Sequence, residues 1–102
     1  MKDATSELVR ALLGVTSVTF GLEKARSRPW LSATFTGVRH ELSFMLNGPA
    51  AEAEADVFLD GLEEREFALR GHVLADIGLV SRSSVDGGGV RIALEALTVE
   101  NC

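Results

Sequence analysis

The segment spanning residues 67–79 alternates apolar and polar side chains more regularly than any other part of the chain. Apolar or small residues fill its odd positions, whereas Arg70, His72 and Asp76 occupy even ones. Successive side chains of a β-strand point to opposite faces of the sheet, so a period of two predicts a strand with one buried face. The same alternation over residues 90–96 predicts the neighbouring strand of an antiparallel hairpin.

The glycine-rich turn between these two strands admits two registers. A turn centred on residues 86–87 places Arg82 directly opposite Arg91, whereas a turn centred on residues 87–88 separates the two arginines. Like charges that face each other across two strands destabilise the pair. The sequence therefore favours the second register.

A first hairpin is predicted from residues 17–22 and 31–36, where apolar residues again alternate with polar ones. Pairing Leu22 with Leu31 places all of these apolar residues on one face of the sheet. After Gly37 the apolar residues move from odd to even positions, which would reverse the faces of a continuous strand. We expect a β-bulge at Gly37; the alternative is a turn there that starts a separate strand.

Two helices are predicted, one before each pair of strands. Apolar residues recur along one side of residues 49–64, and Pro49 suits a first helical turn, where its missing N–H costs no hydrogen bond. Gly61 weakens the end of this helix. Residues 3–13 carry a short apolar stripe, which predicts an amphipathic helix, with a strand extending to Val15 as the alternative.

These elements predict one α+β domain spanning residues 1–102, with the element order α-β-β-α-β-β. Its antiparallel sheet has four strands, or five if the chain turns at Gly37, and the helix over residues 49–64 covers one face. The other face mixes charges with aliphatic side chains such as Leu74 and Val80, which suits neither a core nor a fully solvated surface. We expect its cover to be a second subunit, in preference to the N-terminal helix or a small molecule.

Composition narrows the possible classes of function. The 102 residues carry a net charge of −5, which disfavours a general binder of nucleic-acid backbones. No apolar run reaches the roughly 20 residues needed to span a bilayer, and no signal peptide is recognisable, so we expect a cytoplasmic protein without membrane contact. Two histidines and one cysteine, Cys102, predict neither a metal site nor a disulfide framework, and no cofactor motif is recognisable.

Residues 24–30 have the most unusual local composition, because three of the ten basic residues lie in what the hairpin prediction makes a loop. Arg26, Arg28 and Trp30 are candidate binding residues, since arginine beside an aromatic ring can hold an anion, stack on a base or dock on an acidic surface. The alternative is an ordinary solvated loop. A further hypothesis pairs this loop with the acidic side of the helix over residues 49–64 in another subunit.

Arg70, His72 and Asp76 share the less buried face of the later strand and are the other candidate binding residues. Four residues of strand place the Cα atoms of His72 and Asp76 roughly 13 Å apart, too far for a catalytic dyad. A bulge at Gly37 would re-aim the nearby His40, although a solvated strand edge is the simpler interpretation. We therefore predict no catalytic residue.

Two classes of function remain open from the sequence. The preferred class is a non-enzymatic binding or assembly module that forms a homo-oligomer through its open sheet face. The alternative is a small-molecule-binding protein or small enzyme whose site lies between the sheet and its cover. A flat face buried in a symmetric contact indicates the first class, and a deep pocket with converging polar groups indicates the second.

Overall fold

The structure, a computed structural model, describes residues 3–14 and 20–100. In chain order its elements are helix α1 (Ala4–Leu13), strands β1 (Phe20–Leu31) and β2 (Thr36–Leu46), helix α2 (Ala51–Leu59), a 3-10 turn (Leu62–Glu64), and strands β3 (His72–Ser84) and β4 (Val90–Glu100). The strands form one antiparallel sheet with the spatial order β1-β2-β4-β3. The predicted α+β class and element order are confirmed. Val18, assigned to the first strand, and Cys102 lie outside the described residues.

One face of the sheet, called the inner face below, carries the hydrophobic core. Apolar residues alternate along the two central strands, β2 and β4, whose register places Phe44 opposite Ile92. Both helices pack on this face. Burial of each large apolar side chain contributes roughly 1.5–3 kcal/mol, so this layer dominates the stability of the fold. The most completely buried members of the core are Leu8 and Leu12 of α1, Phe44 and Leu46 of β2, Ala51, Ala55 and Phe58 of α2, and Val90, Ile92 and Leu94 of β4.

Helix α1 begins where Asp3 supplies an N-cap. The Asp3 carboxylate accepts a hydrogen bond from the backbone N–H of Ser6 at 2.7 Å, which satisfies one of the free donors of the first turn. The same contact holds the pKa of Asp3 below its ordinary value. The segment 3–13 is therefore a helix, and the strand alternative is wrong over residues 4–13.

Helix α2 is shorter than predicted. It ends before Gly61, whose left-handed backbone (φ +68°) separates it from the 3-10 turn. The guanidinium of Arg65 donates hydrogen bonds to the carbonyl oxygens of Phe58 (3.3 Å) and Asp60 (2.8 Å), which the end of the helix leaves without intrahelical partners. The predicted helix over residues 49–64 is thus two helical pieces joined at a glycine.

The first hairpin differs from its prediction. β1 is a continuous strand through residues 24–30, the segment assigned to a loop, and the turn comes later, at residues 32–35. The Ser32 hydroxyl holds this turn by accepting a hydrogen bond from the N–H of Phe35 at 3.0 Å. The change of phase in the sequence therefore marks two strands joined by a turn at residues 32–35. Because β2 runs through Gly37, the preferred bulge and the alternative turn at that residue are both wrong.

β3 begins later than predicted and changes face twice. Gly71, with a φ of +77°, turns the chain before the strand starts at His72. Register shifts against β4 follow at Ala75 and Val80, and each adds one residue without a direct partner. An added residue moves every following side chain to the opposite face.

The first bulge explains why the expected core face of this strand is wrong before Ala75 and right for Ile77 and Leu79 after it. Leu74 and Ile77 both face the core, although one position is even and the other odd, because a bulge lies between them. Val73 lies on the outer face and is 47% exposed, whereas Leu79 lies on the inner face opposite Leu94 but is 48% exposed because β3 is an edge strand. The alternation of the sequence is real, but the face that it indicates changes along the strand.

The register of the second hairpin also differs from the favoured one. Leu79 lies opposite Leu94, as in the register that the sequence disfavours. The second bulge then shifts the pairing by one residue, so the two arginines are separated all the same. Arg82 instead reaches α2, where its guanidinium binds the carboxylates of Glu52 (2.9 Å) and Asp56 (2.7 Å).

Position 37 requires a glycine, because β2 and β4 approach each other closely there. It lies opposite Val99 on β4 and Trp30 on β1. A β-carbon added at Gly37 would lie 2.5 Å from the carbonyl oxygen of Thr98 and 3.4 Å from the ring of Trp30. Because the first contact is with backbone, the strands must shift to admit any side chain there.

Gly37→Ala is therefore expected to lower the free energy of unfolding by roughly 1–3 kcal/mol. Gly78→Ala is the matched control, because Gly78 also lies in the sheet but has no heavy atom within 4 Å of an added β-carbon. The control is expected to be neutral or stabilising, since alanine reduces the entropy of the unfolded chain. Urea denaturation followed by circular dichroism measures both variants, and equal losses would contradict the role of the close approach.

Candidate functional site

The face of the sheet opposite to the helices is called the outer face. Directly paired residues on neighbouring strands point to the same side of a sheet, so the registers define rows of side chains across it. Three rows matter for function. Taken from β1 through β2 and β4 to β3, they are Arg26, Glu41, Glu95 and Gly78; then Arg28, Arg39, Leu97 and Asp76; then Trp30, Gly37, Val99 and Val73.

Six charged side chains on these rows form a basic side and an acidic side. The cations lie on β1 and β2, whereas two of the three anions lie on β4 and β3. In the part of the chain that the structure describes, none of the six takes part in an ion pair. The six are the cations Arg26, Arg28 and Arg39 and the anions Glu41, Glu95 and Asp76.

Arg28 and Arg39 are direct neighbours across β1 and β2, although like charges in this arrangement destabilise a sheet. No described carboxylate offsets them through an ion pair. Guanidinium groups bind carboxylates in charge-assisted hydrogen bonds, and local conflicts of this kind are concentrated at functional sites. The pair therefore marks this side of the outer face as a place where an anionic group can bind.

Apolar side chains lie on the outer face on both sides of a central carboxylate pair, Glu41 and Glu95, which are direct neighbours across β2 and β4. Met45, Ala93, Leu97 and Val99 lie half-buried on the two central strands, and Trp30 lies at one end beside Gly37. Half-buried apolar side chains among charged ones are ordinary features of a protein–protein interface.

The predicted basic loop is in fact an edge strand of the sheet. The pairing with β2 places the side chains of Lys24, Arg26 and Arg28 on the outer face, along the length of β1. Charges and a proline on an edge strand, here Pro29, also hinder pairing with another sheet edge. The hypothesis that this segment contacts the acidic side of α2 in another subunit is weakened, since two carboxylates of α2 already bind Arg82.

A concave region, called the cleft, lies between residues 63–69 and residues 72–77 of β3. Its volume is about 530 Å³, which is within the range of ligand pockets. Its lining includes the half-buried apolar side chains of Phe67, Leu69 and Leu74.

The six predicted binding residues do not form a single site. His72 and Asp76 both line the cleft. Arg70 lies outside it, and its backbone N–H donates a hydrogen bond to the carboxylate of Glu7 at 2.9 Å. The structure thus places Arg26, Arg28 and Trp30 on the outer face, Asp76 where that face meets the cleft, His72 in the cleft, and Arg70 beside α1.

His40, expected at a solvated strand edge, is completely buried. Its Nδ1 lies 3.2 Å from the hydroxyl of Thr5 on α1, and its Nε2 lies 2.9 Å from the hydroxyl of Thr98 on β4. Because the Thr98 hydroxyl donates to the carbonyl of Val38, its oxygen can accept from Nε2–H. The contacts fit a neutral imidazole. The even alternation of β2 continues to His40 and is the sequence signal for its burial.

Burial lowers the pKa of His40, because the charged imidazolium would lose its contact with water. The positive charge of a protonated His72 adds to this effect, whereas Asp3 at the start of α1 opposes it. The fold therefore holds the neutral form of His40 between α1 and the sheet.

Glu7 is a second buried polar residue of α1 that the sequence did not single out. Its carboxylate accepts hydrogen bonds from the backbone N–H of Arg70 (2.9 Å) and from the guanidinium of Arg10 (3.0 Å). These two donors hold the pKa of Glu7 below its ordinary value. Polar contacts thus orient α1 on the sheet in addition to its apolar side.

No protein-family model, curated protein or solved structure matches this chain. Among the described residues, no helix is long and apolar enough to cross a membrane. Within residues 3–14 and 20–100, no three histidine, cysteine, aspartate or glutamate side chains are grouped so that they could hold a metal ion. The charged outer face and the cleft are therefore the candidate functional regions.

The stability of the protein is expected to fall as the pH falls below about 6.5, the ordinary pKa of histidine. The unfolded chain binds more protons there than the folded one, since folding lowers the pKa of His40. The contribution of neutral His40 is complete above that pH and is lost as the pH falls through the lower, folded pKa. Urea midpoints measured from about pH 8 to about pH 5 test this dependence.

His40→Gln should flatten that dependence, because glutamine does not titrate. His72→Gln is the control and should retain most of the dependence, since burial, rather than the charge of His72, is the larger cause of the lowered pKa of His40. If the wild type and His40→Gln lost stability in parallel as the pH fell, the assignment of the dependence to His40 would be wrong.

Proposed function

We propose that this chain is an assembly module that forms a homodimer by packing its outer face against the outer face of a second copy. The single observation that carries the proposal is the charge pattern. Arginines of β1 and β2 form a basic side, whereas Glu95 of β4 and Asp76 of β3 lie on the other side, so the row of Arg28 and Asp76 is complementary to the same row in a second copy. Both helices lie on the inner face and leave this surface accessible.

The charge pattern favours one symmetry for the dimer. A two-fold axis parallel to the strands places β1 of one copy over β3 of the other within the same row, so Arg28 meets the partner's Asp76. An axis perpendicular to the strands would place β1 over β1 and bring arginines together. The first axis also brings Glu41 near the partner's Glu95, which is unfavourable and gives the proposal a second test.

The size of the face is compatible with a dimer. Four strands of 11 to 13 residues span about 19 Å by about 35 Å, or about 650 Å² for each copy. The total of about 1,300 Å² lies at the lower end of stable interfaces. Contact through the edge of β1 is disfavoured by its charges and Pro29, so the face is the better surface for association.

Light scattering after size exclusion, over a wide concentration range and at low and high salt, tests the proposal. A dimer that weakens with salt is expected. Arg28→Asp and Asp76→Arg should each weaken it about tenfold, because each places like charges together at two symmetry-related contacts. The double variant Arg28→Asp/Asp76→Arg restores opposite charges and should recover the wild-type mass.

Two further variants complete this test. Glu95→Gln should strengthen the dimer, since it removes the repulsion from the partner's Glu41. Asp86→Arg, in the exposed turn between β3 and β4, is the control and should have no effect. A monomer at every concentration would refute the dimer, and a dimer indifferent to the exchange of Arg28 and Asp76 would refute the proposed interface.

A further inference from the structure

The two walls of the cleft expose unpaired backbone groups. β3 is an edge strand, which pairs with β4 on one side only. Among the described residues, no backbone hydrogen bond joins residues 66–69 to β3. N–H and C=O groups of residues 72–74 and 76–77, on either side of the bulge at Ala75, are therefore available to a strand inserted between the two walls.

The rim of the cleft is acidic. Glu63, Glu64, Glu66 and Asp76 line it with exposed carboxylates, and none of the four forms an ion pair with another described residue. Arg65 also lines the cleft, but its guanidinium donates to two backbone carbonyls at the end of α2. The rim thus keeps an excess of negative charge that the chain itself does not neutralise.

The lining of the cleft beneath this rim is partly apolar. Phe67 and Leu74 pack against the hydrophobic core and are half-buried, and Leu69 is half-buried beside them. Apolar surface beside an acidic rim suits a segment that alternates apolar and basic side chains. The alternation has the period of two that an extended strand presents to its surroundings.

We propose that the cleft binds an extended, lysine- or arginine-bearing segment of another polypeptide, which adds to the edge of β3 as a strand. Backbone hydrogen bonds to β3 hold the segment, its basic side chains meet the carboxylates of the rim, and its apolar side chains lie over Phe67 and Leu69. Residues 72–77 offer about 17 Å of strand, enough for about six residues, with the bulge at Ala75 within it. This proposal does not depend on the dimer, since it uses the edge of β3 and the carboxylates of residues 63–66, and only Asp76 takes part in both.

Fluorescence anisotropy with a labelled peptide tests this proposal on the intact protein. The probe is a synthetic peptide of about eight residues that alternates lysine with leucine, a length chosen to cover the exposed part of β3. Saturable binding at low salt is expected. A peptide with serine for leucine should bind about tenfold more weakly, because it offers no apolar side chain, and one with glutamate for lysine should not bind.

Variants of the protein locate the site. Glu64→Gln/Glu66→Gln should weaken binding of the lysine–leucine peptide about three- to tenfold, because it removes two rim charges. Glu54→Gln/Asp86→Asn changes the net charge equally but lies outside the cleft, and should bind as the wild type does. Circular dichroism confirms that each variant is folded. Equal weakening in both pairs would mean attraction to net charge alone and would overturn the proposal.

Two other outcomes are decisive. If the lysine–leucine peptide showed no saturable binding up to millimolar concentration, the cleft would not be a site for such a segment. If Glu41→Gln/Glu95→Gln weakened peptide binding as much as Glu64→Gln/Glu66→Gln, the peptide would lie on the outer face and the proposal would again be wrong. Peptide binding that is unchanged in Glu41→Gln/Glu95→Gln supports the cleft whether or not the wild type is a dimer, so the two proposals fail separately.

Discussion

The burial of a single face of the sheet is the constraint on which the rest of the structure depends. The chain supplies two helices, and both pack on the inner face, where the alternating residues of the two central strands meet Leu8, Leu12 and Phe58. A sheet covered on one side must make its other side compatible with water or with a partner. The outer face meets this requirement with charged side chains on all four strands and half-buried apolar side chains between them.

The bulges of β3 show how the chain satisfies this constraint where its simple alternation would fail. Without the shift at Ala75, Leu74 and Ile77 could not both reach the core. Without the shift at Val80, Arg82 would not point to α2, where it binds Glu52 and Asp56. The side chain of Val73 lies on the outer face, and that of Asp76 lies where this face meets the cleft. The irregularities that complete the core therefore also shape the candidate sites.

The order of the elements could be predicted from the sequence because it rests on periods of apolar residues, which follow directly from burial. Other features could not be predicted in this way. Residues 24–30 lack an apolar alternation because β1 is an exposed edge strand, so their composition is that of a loop. A bulge changes the face of a strand without changing its alternation, which hid the two shifts in β3. His40 continues the even alternation of β2, but its charged neighbours indicated a solvated edge, and its hydrogen-bond partners Thr5 and Thr98 are distant in the sequence.

The β1 and β3 edges of the sheet differ in how readily each could accept an added strand. The β1 edge carries basic residues and Pro29, both of which oppose the addition of a strand. The β3 edge has no lysine, arginine or proline over residues 72–77, where the bulge at Ala75 is the one irregularity, and residues 63–69 stand beside it without pairing to it. The acidic rim there repels acidic segments, so an added strand must be basic to approach. Association through the outer face engages Asp76 but leaves the backbone edge of β3 and the carboxylates of Glu63, Glu64 and Glu66 open, so each copy in a dimer keeps its own cleft.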